Sequence, residues 1–236
     1  MNKTIGIIGF GRFGQLWKKI LDDDFDIKVY DSQSSLSTDP LDLVLAQEIL
    51  FLCVPIRSFE KIIQAIATRI KPNTTVFDVC SVKVYTTDLM KTYLPSTVKI
   101  IATHPMFGPD SYNTDADLRI MMHSTRCDED SFKQWVSYFT RKKFSVLEMT
   151  PDEHDQFAAK SQGITHFIGR TLHAMKASPT PIDTKGYSEL LEVMQQTCND
   201  SWELFMDLQQ YNPYSSSVIE AFDTAVNNIK KEIKDE

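Results

Sequence analysis

Short apolar runs alternate with amphipathic stretches along the first two-thirds of the chain. Thr4–Ile8 is a β-branched run that enters a glycine-rich turn. Arg12–Leu21 places Phe13, Leu16, Trp17 and Ile20 along one face, which predicts a helix. Ile27–Tyr30 reads as a second strand ending at Asp31, and Ile49–Val54 as an apolar strand of the buried parallel kind. Ser58–Ile70 predicts an amphipathic helix with Phe59, Ile62, Ile63 and Ile66 inward. Thr75–Val79 and Val98–Ala102 are further strands, and Ile120–Met122 and Ser145–Glu148 are weaker ones. Strands separated by helices predict a parallel sheet with right-handed crossovers.

The pattern changes at Thr150-Pro151-Asp152, where Thr150 or Asp152 can cap a helix with Pro151 in its first turn. Beyond it the chain reads as helical. His154–Met175 is one long segment, broken by Ser178-Pro-Thr-Pro181. Tyr187–Gln210 is a second helical region, interrupted near Asn199, and Asn212-Pro213 stops it. Val218, Phe222, Val226, Ile229 and Ile233 stripe a last helix. The expected organisation is a dinucleotide-type α/β domain over residues 1–150 and a small all-helical domain over 151–236.

Glycine usage sharpens this picture. The chain has eight glycines, and Gly6, Gly9, Gly11 and Gly14 fall within its first fourteen residues. Gly9-Phe10-Gly11-Arg12-Phe13-Gly14 is G-x-G-x-x-G between a predicted strand and a predicted helix. In that setting the first glycine permits the tight turn, the second admits a pyrophosphate, and the third lets the helix pack on the strand. The N–H groups at the helix start then hold phosphates. Asp31, at the end of the second strand, stands where dinucleotide folds keep the carboxylate that binds the ribose. A carboxylate there repels a 2′-phosphate, and no arginine follows in Ser32-Gln33-Ser34, so NAD is favoured over NADP. Val54 and Pro55, at the end of the third strand, complete the expected cofactor contacts. The fold class is therefore α/β: a Rossmann-type, doubly wound parallel sheet followed by the helical domain.

Charge and composition exclude other classes. With 25 Lys+Arg against 32 Asp+Glu, the net charge is −7 and there is no basic stripe for nucleic acid. Apolar runs such as Ile49–Val54 are far shorter than the ~20 residues that span a bilayer, and the N-terminal stretch does not read as a signal peptide. Cys53, Cys80, Cys127 and Cys198 have no metal-type spacing and read as free thiols in a reducing cytosol.

A hydride-transfer enzyme needs a group that manages the proton on the hydroxyl being oxidised. Thr103-His104-Pro105-Met106-Phe107-Gly108-Pro109 follows the apolar strand Val98–Ala102, which puts His104 at the sheet edge where ligands bind in such folds. Asp78-Val-Cys-Ser81-Val-Lys83 follows another strand in the same way, so a hydroxyl and an ammonium are expected to face that crevice. His154, His173 and His123 read as structural or solvated.

Together, Gly9–Gly14, Asp78-x-x-Ser81-x-Lys83, His104-Pro-Met-Phe-Gly-Pro109, Glu153-His154-Asp155 and Gln162-Gly-Ile-Thr-His166-Phe resemble the prephenate/arogenate dehydrogenases of tyrosine biosynthesis. The resemblance covers nearly the whole chain. It implies that His104 is the catalytic histidine, bonding the substrate's ring hydroxyl and accepting its proton as hydride leaves for NAD⁺. It implies that Ser81 orients that histidine and the hydroxyl, that His166 is a substrate-side histidine, and that Asp110 lies at the pocket mouth. Lys83, Asp110 and His166 are expected to bind the substrate. A small-molecule substrate, no metal, and a cytoplasmic homodimer formed through the helical domain are further implications. One departure stands out. Relatives usually carry an arginine in the second helical region that grips a substrate carboxylate, whereas the corresponding position here reads Gln195 or Gln196. Lys83, Arg170 or Lys185 could supply the cation, or the substrate could be another small hydroxy acid. A cofactor-binding but inactive dimeric interaction protein is the rival of another class. No appended domain of the kind some relatives carry is expected after Val218–Ile233.

Overall fold

The computed structural model describes residues 4–112 and 117–235. These form two compact units that divide between Asp152 and Glu153. The first unit is built on one sheet of seven strands: β1 (Thr4–Ile8), β2 (Asp26–Tyr30), β3 (Ile49–Leu52), β4 (Thr75–Asp78), β5 (Lys99–Pro105), β6 (Arg119–Arg126) and β7 (Ser145–Glu148). Their order is β2-β1-β3-β4-β5-β6-β7. The first five are mutually parallel. β6 runs antiparallel to β5, and β7 lies parallel to β6, so the expected parallel sheet carries a reversed pair at one edge. Every residue of β3 and β4 is buried, as expected of strands covered by helices on both faces.

Five helices accompany the sheet: α1 (Arg12–Leu21), α2 (Leu41–Leu45), α3 (Ile56–Ile66), α4 (Val84–Tyr93) and α5 (Glu129–Arg141). α2, α4 and α5 are additional to the elements predicted from the pattern. α3 starts and stops earlier than expected, and a 3₁₀ turn, Ala67–Arg69, completes its stretch. One face of the sheet holds an aromatic core. Trp17 of α1 is fully buried and packs on Phe51, Phe139 and Phe144, while Phe51 stacks on Phe77 at 4.5 Å. Aromatic pairs of this geometry each add about 1 kcal/mol beyond their buried area. Elsewhere in the unit α3 and α4 lie side by side, joined by the Gln64 amide donating to Tyr93 Oη at 2.8 Å.

The second unit is helical. α6 (Pro151–Ala158) leads through a π turn, Ala159–Gly163, into α7 (Ile164–Ala174). The single helix expected over His154–Met175 is therefore wound in three pieces. The π turn sets the Gly163 carbonyl to accept from Gln209 Nε2 at 2.9 Å. α8 (Lys185–Asn199), α9 (Trp202–Tyr211) and α10 (Ser215–Asp235) follow. Thr184 and Ser201 cap α8 and α9 by accepting from the N–H groups of Tyr187 and Leu204. α7 approaches α8 so closely at Gly169 that a Cβ there would overlap the Thr197 side chain.

Candidate active site

The order β2-β1-β3 places the topological switch point between β1 and β3, and the glycine turn sits there. Gly9 has φ +95°, and a Cβ on it would overlap the Cys53 carbonyl beyond β3. A Cβ on Gly14, inside α1, would overlap the Gly9 carbonyl oxygen. Gly11 differs: nothing lies within 4 Å of where its Cβ would be. Gly9 and Gly14 are thus required by the chain's own packing, while Gly11 opens onto free space at an α1 N-terminus that no side chain caps. Such a terminus suits an anion. Asp31 follows β2, and its Oδ2 accepts the Phe10 N–H at 2.6 Å while Oδ1 accepts the Gln33 N–H at 2.8 Å. Each carboxylate oxygen keeps a further lone pair. Val54 borders the same turn, 3.0 Å from the Gly9 Cβ position, and Pro55 starts α3. These residues fit a nicotinamide dinucleotide: an open glycine at a helix start and a carboxylate one strand over.

His104 is 5% exposed and lies within β5, opposite Met121 of β6, rather than in a loop after the strand. The expected strand ended at Ala102, but β5 runs on to Pro105 because β6 returns antiparallel along it. β1, β3, β4 and β5 are parallel, so the end of β5 that carries His104 lies on the same sheet edge as the glycine turn. Ser81 is half-buried in the bend after β4, at that edge.

Lys83 corrects the reading. Its side chain is fully buried, so its ammonium does not face the crevice. Nζ ion-pairs with Asp78, which is also fully buried, and donates to the Thr103 carbonyl at 2.6 Å. Thr86 of α4 donates to Asp78 Oδ2 at 2.8 Å. Asp78, Thr86 and Thr103 were not among the expected site residues. The available signal was an aspartate closing an otherwise apolar strand, followed by a lysine five positions later and a threonine three beyond that.

The other expected residues fall as follows. Asp110 lies in the turn after β5, where the Tyr112 N–H donates to the Gly108 carbonyl, and it pairs at 2.6 Å with Arg12, the first residue of α1. Both partners are exposed, so the pair adds little stability. His123 is part of β6. In the helical unit His166 is 7% exposed, with Nε2 3.8 Å from Asp200 and Nδ1 buried without a hydrogen-bond partner. Burial pushes its pKa below 6.5, against the opposing pull of Asp200. Arg170 is committed to the C-terminal end of α8: Nη2 donates to the carbonyls of Thr197 and Asp200, and its guanidinium lies over Trp202 and Phe205. Gln195 and Gln196 are exposed on α8, and Lys185 at its start sits 3.6 Å from Glu189.

Comparison with known proteins agrees with this geometry. The family described as "Prephenate dehydrogenase, nucleotide-binding domain" matches residues 28–121, and "TYRAAT1-like, C-terminal domain" matches 171–236. Arogenate dehydrogenase 1 of Arabidopsis thaliana is 36% identical over 97% of this chain, and the match covers 39% of that protein. Arogenate dehydrogenase 2 of the same plant is 33% identical over 97% of this chain and 69% of its own length. The prephenate dehydrogenase [NADP(+)] of Saccharomyces cerevisiae is 24% identical over 99% of this chain and 58% of its own. The chain thus spans between about two-fifths and two-thirds of these relatives. Among solved structures, Aquifex aeolicus prephenate dehydrogenase in complex with hydroxyphenyl propionate and NAD⁺ shares the fold, with a TM-score of 0.74 at 18% identity over 98% of this chain and 90% of that one. Synechocystis arogenate dehydrogenase does so with a TM-score of 0.71 at 18% identity over 98% and 92%. By its glycine turn, its histidine strand and its identity to the Arabidopsis enzymes along nearly its whole length, this chain belongs to the prephenate/arogenate dehydrogenase family.

Proposed function

We propose that this chain oxidatively decarboxylates arogenate or prephenate, with NAD⁺ as the favoured hydride acceptor and His104 as the proton acceptor. The observation that carries the reading is His104 itself, buried on the extended end of β5 at the edge that holds the glycine turn. Bound NAD⁺ supplies only the site that receives the hydride. His104 takes the proton of the ring hydroxyl as hydride leaves the same carbon, so the C–O bond becomes a carbonyl. The electrons of the breaking C–CO₂ bond then run through the ring to that oxygen. The oxygen regains a proton as the phenol, which His104 can return. Ser81 orients the imidazole and the hydroxyl.

Asp31 supports NAD over NADP, although the yeast relative's name specifies NADP. The names of the two Arabidopsis relatives favour arogenate as the first substrate to test. Gln195 or Gln196, at the position where the resemblance leads to the expectation of an arginine, favours the second reading, a related small hydroxy acid. A homodimer through the helical unit fits the exposed Ile229 and Ile233 on α10. The four free thiols fit a reducing compartment, and "chloroplastic" in the names of the Arabidopsis relatives makes the organelle as well as the cytosol a place to look. The decisive experiment is NADH formation with arogenate and then prephenate. Turnover of either, abolished by His104→Asn with NAD affinity retained, supports the proposal. No turnover despite measurable NAD binding overturns it.

A further inference from the structure

The ladder between β4 and β5 ends at the pair Asp78–Ala102, because β4 stops there. β5 continues for three more residues, Thr103, His104 and Pro105, paired only with β6. On the β4 side the main chain of Thr103 therefore has no strand to bond. Side chains replace that strand. The Thr103 N–H donates to Asp78 Oδ1 at 3.4 Å, and the Thr103 carbonyl accepts from Lys83 Nζ at 2.6 Å. The Thr103 hydroxyl also donates to the Asp78 carbonyl. The carbonyl that Lys83 holds belongs to the peptide joining Thr103 to His104. Thr86 in turn fixes Asp78 Oδ2. Asp78, Lys83, Thr86 and Thr103 are all fully buried.

A buried ion pair is a poor source of stability, since apolar residues of the same volume often serve as well or better. Its geometry here serves another end. We infer that Asp78, Lys83 and Thr86 are positioning residues that extend the β4 ladder by side chains and hold the His104 backbone at the crevice. This rests on the reading that His104 accepts the substrate's proton.

The test is the double variant Asp78→Asn/Lys83→Met, which removes both charges and nearly conserves volume. It is expected to melt near the wild-type temperature and to bind NAD with unchanged Kd. Its kcat with arogenate or prephenate is expected to fall by about 10- to 100-fold, the scale of a misplaced catalytic group. The pH profile of kcat/KM and the NMR titration of the His104 ring should both be displaced. A lowered melting temperature with wild-type kcat, pH profile and His104 titration would mark a purely structural pair and overturn the inference. Should the wild type turn over neither substrate, the functional reading fails, and the His104 titration alone decides this one. Should the double variant not fold, Thr86→Val takes its place: the same displacements in smaller measure, restored by Thr86→Ser, support the inference, and a wild-type profile overturns it.

Discussion

Replacing each glycine of the turn by alanine separates what the fold needs from what the ligand needs. Gly11 has φ −64° and ψ −168°, a conformation open to any residue, and its Cβ position faces free space. Gly11→Ala therefore creates no clash within the chain. It gives up a better N-cap, worth about 1 kcal/mol, and narrows the unfolded ensemble by about 0.4–1 kcal/mol. The two nearly offset, so stability should move by less than about 1 kcal/mol. Gly9→Ala meets both a left-handed backbone and the Cys53 carbonyl. Strain of about 1–2 kcal/mol plus overpacking of about 1–3 kcal/mol predicts a loss of roughly 2–5 kcal/mol. Gly14→Ala meets only the Gly9 carbonyl oxygen and should lose about 1–3 kcal/mol. Affinity should rank differently. A methyl at residue 11 keeps the pyrophosphate from the helix-start N–H groups, and losing one or two charge-assisted bonds of about 1.5–3 kcal/mol weakens NAD binding at least about tenfold. Chemical denaturation gives the first ranking and calorimetric titration with NAD the second. A Gly11→Ala protein that binds NAD like the wild type, or that loses more than about 2 kcal/mol of stability, would refute the assignment.

Asp31→Asn keeps an acceptor for the Phe10 N–H but drops the charge, so the preference for NAD over NADP should shrink by about tenfold or more in a paired affinity measurement. Trp17→Ala should cost about 3–5 kcal/mol by denaturation. Trp17→Phe should cost less than about 2 kcal/mol, because the lost indole N–H is buried without a hydrogen-bond partner. His166 has a pKa lowered by burial, so the unfolded chain takes up its proton first as pH falls below about 6.5. Stability at His166 is therefore full above that pH and declines below it, and His166→Gln should flatten that part of the stability–pH curve.

The architecture was legible wherever local pattern and tertiary role coincide. Thr4–Ile8, the glycine turn and Arg12–Leu21 follow from period, turn chemistry and an apolar stripe, and each stands where expected. α4 escaped for a physical reason: its buried face includes Thr86 and Thr87, so polar residues occupy positions where an apolar stripe is sought. The π turn at Ala159–Gly163 escaped because one inserted residue leaves the helical period on either side intact. β5 was read three residues short for a different reason. Its extension is made by β6 returning antiparallel, a pairing that no local pattern in Thr103-His104-Pro105 announces.

The site divides along the same line. Gly9, Asp31 and His104 are expected from spacing because each stands at the end of a strand, and Gly11 and Gly14 because the turn and the start of α1 follow directly; strand ends are marked in the sequence. Lys83 could be named but not aimed. A lysine after a strand in an open α/β sheet is ordinarily solvated, and nothing in Ser81-Val-Lys83 says that its stem turns inward. What turns it is the carboxylate of Asp78, buried at the foot of the same loop, which no solvent can satisfy once α4 covers it. A charge buried alone would cost several kcal/mol, so Asp78 and Lys83 must be buried together or not at all. The pair then has one unpaired main-chain segment within reach, the stretch of β5 that outruns β4. Two neighbouring strands of unequal length thus account both for the stretch of β5 that carries His104 beyond β4 and for the buried lysine that sequence reasoning assigned to the substrate.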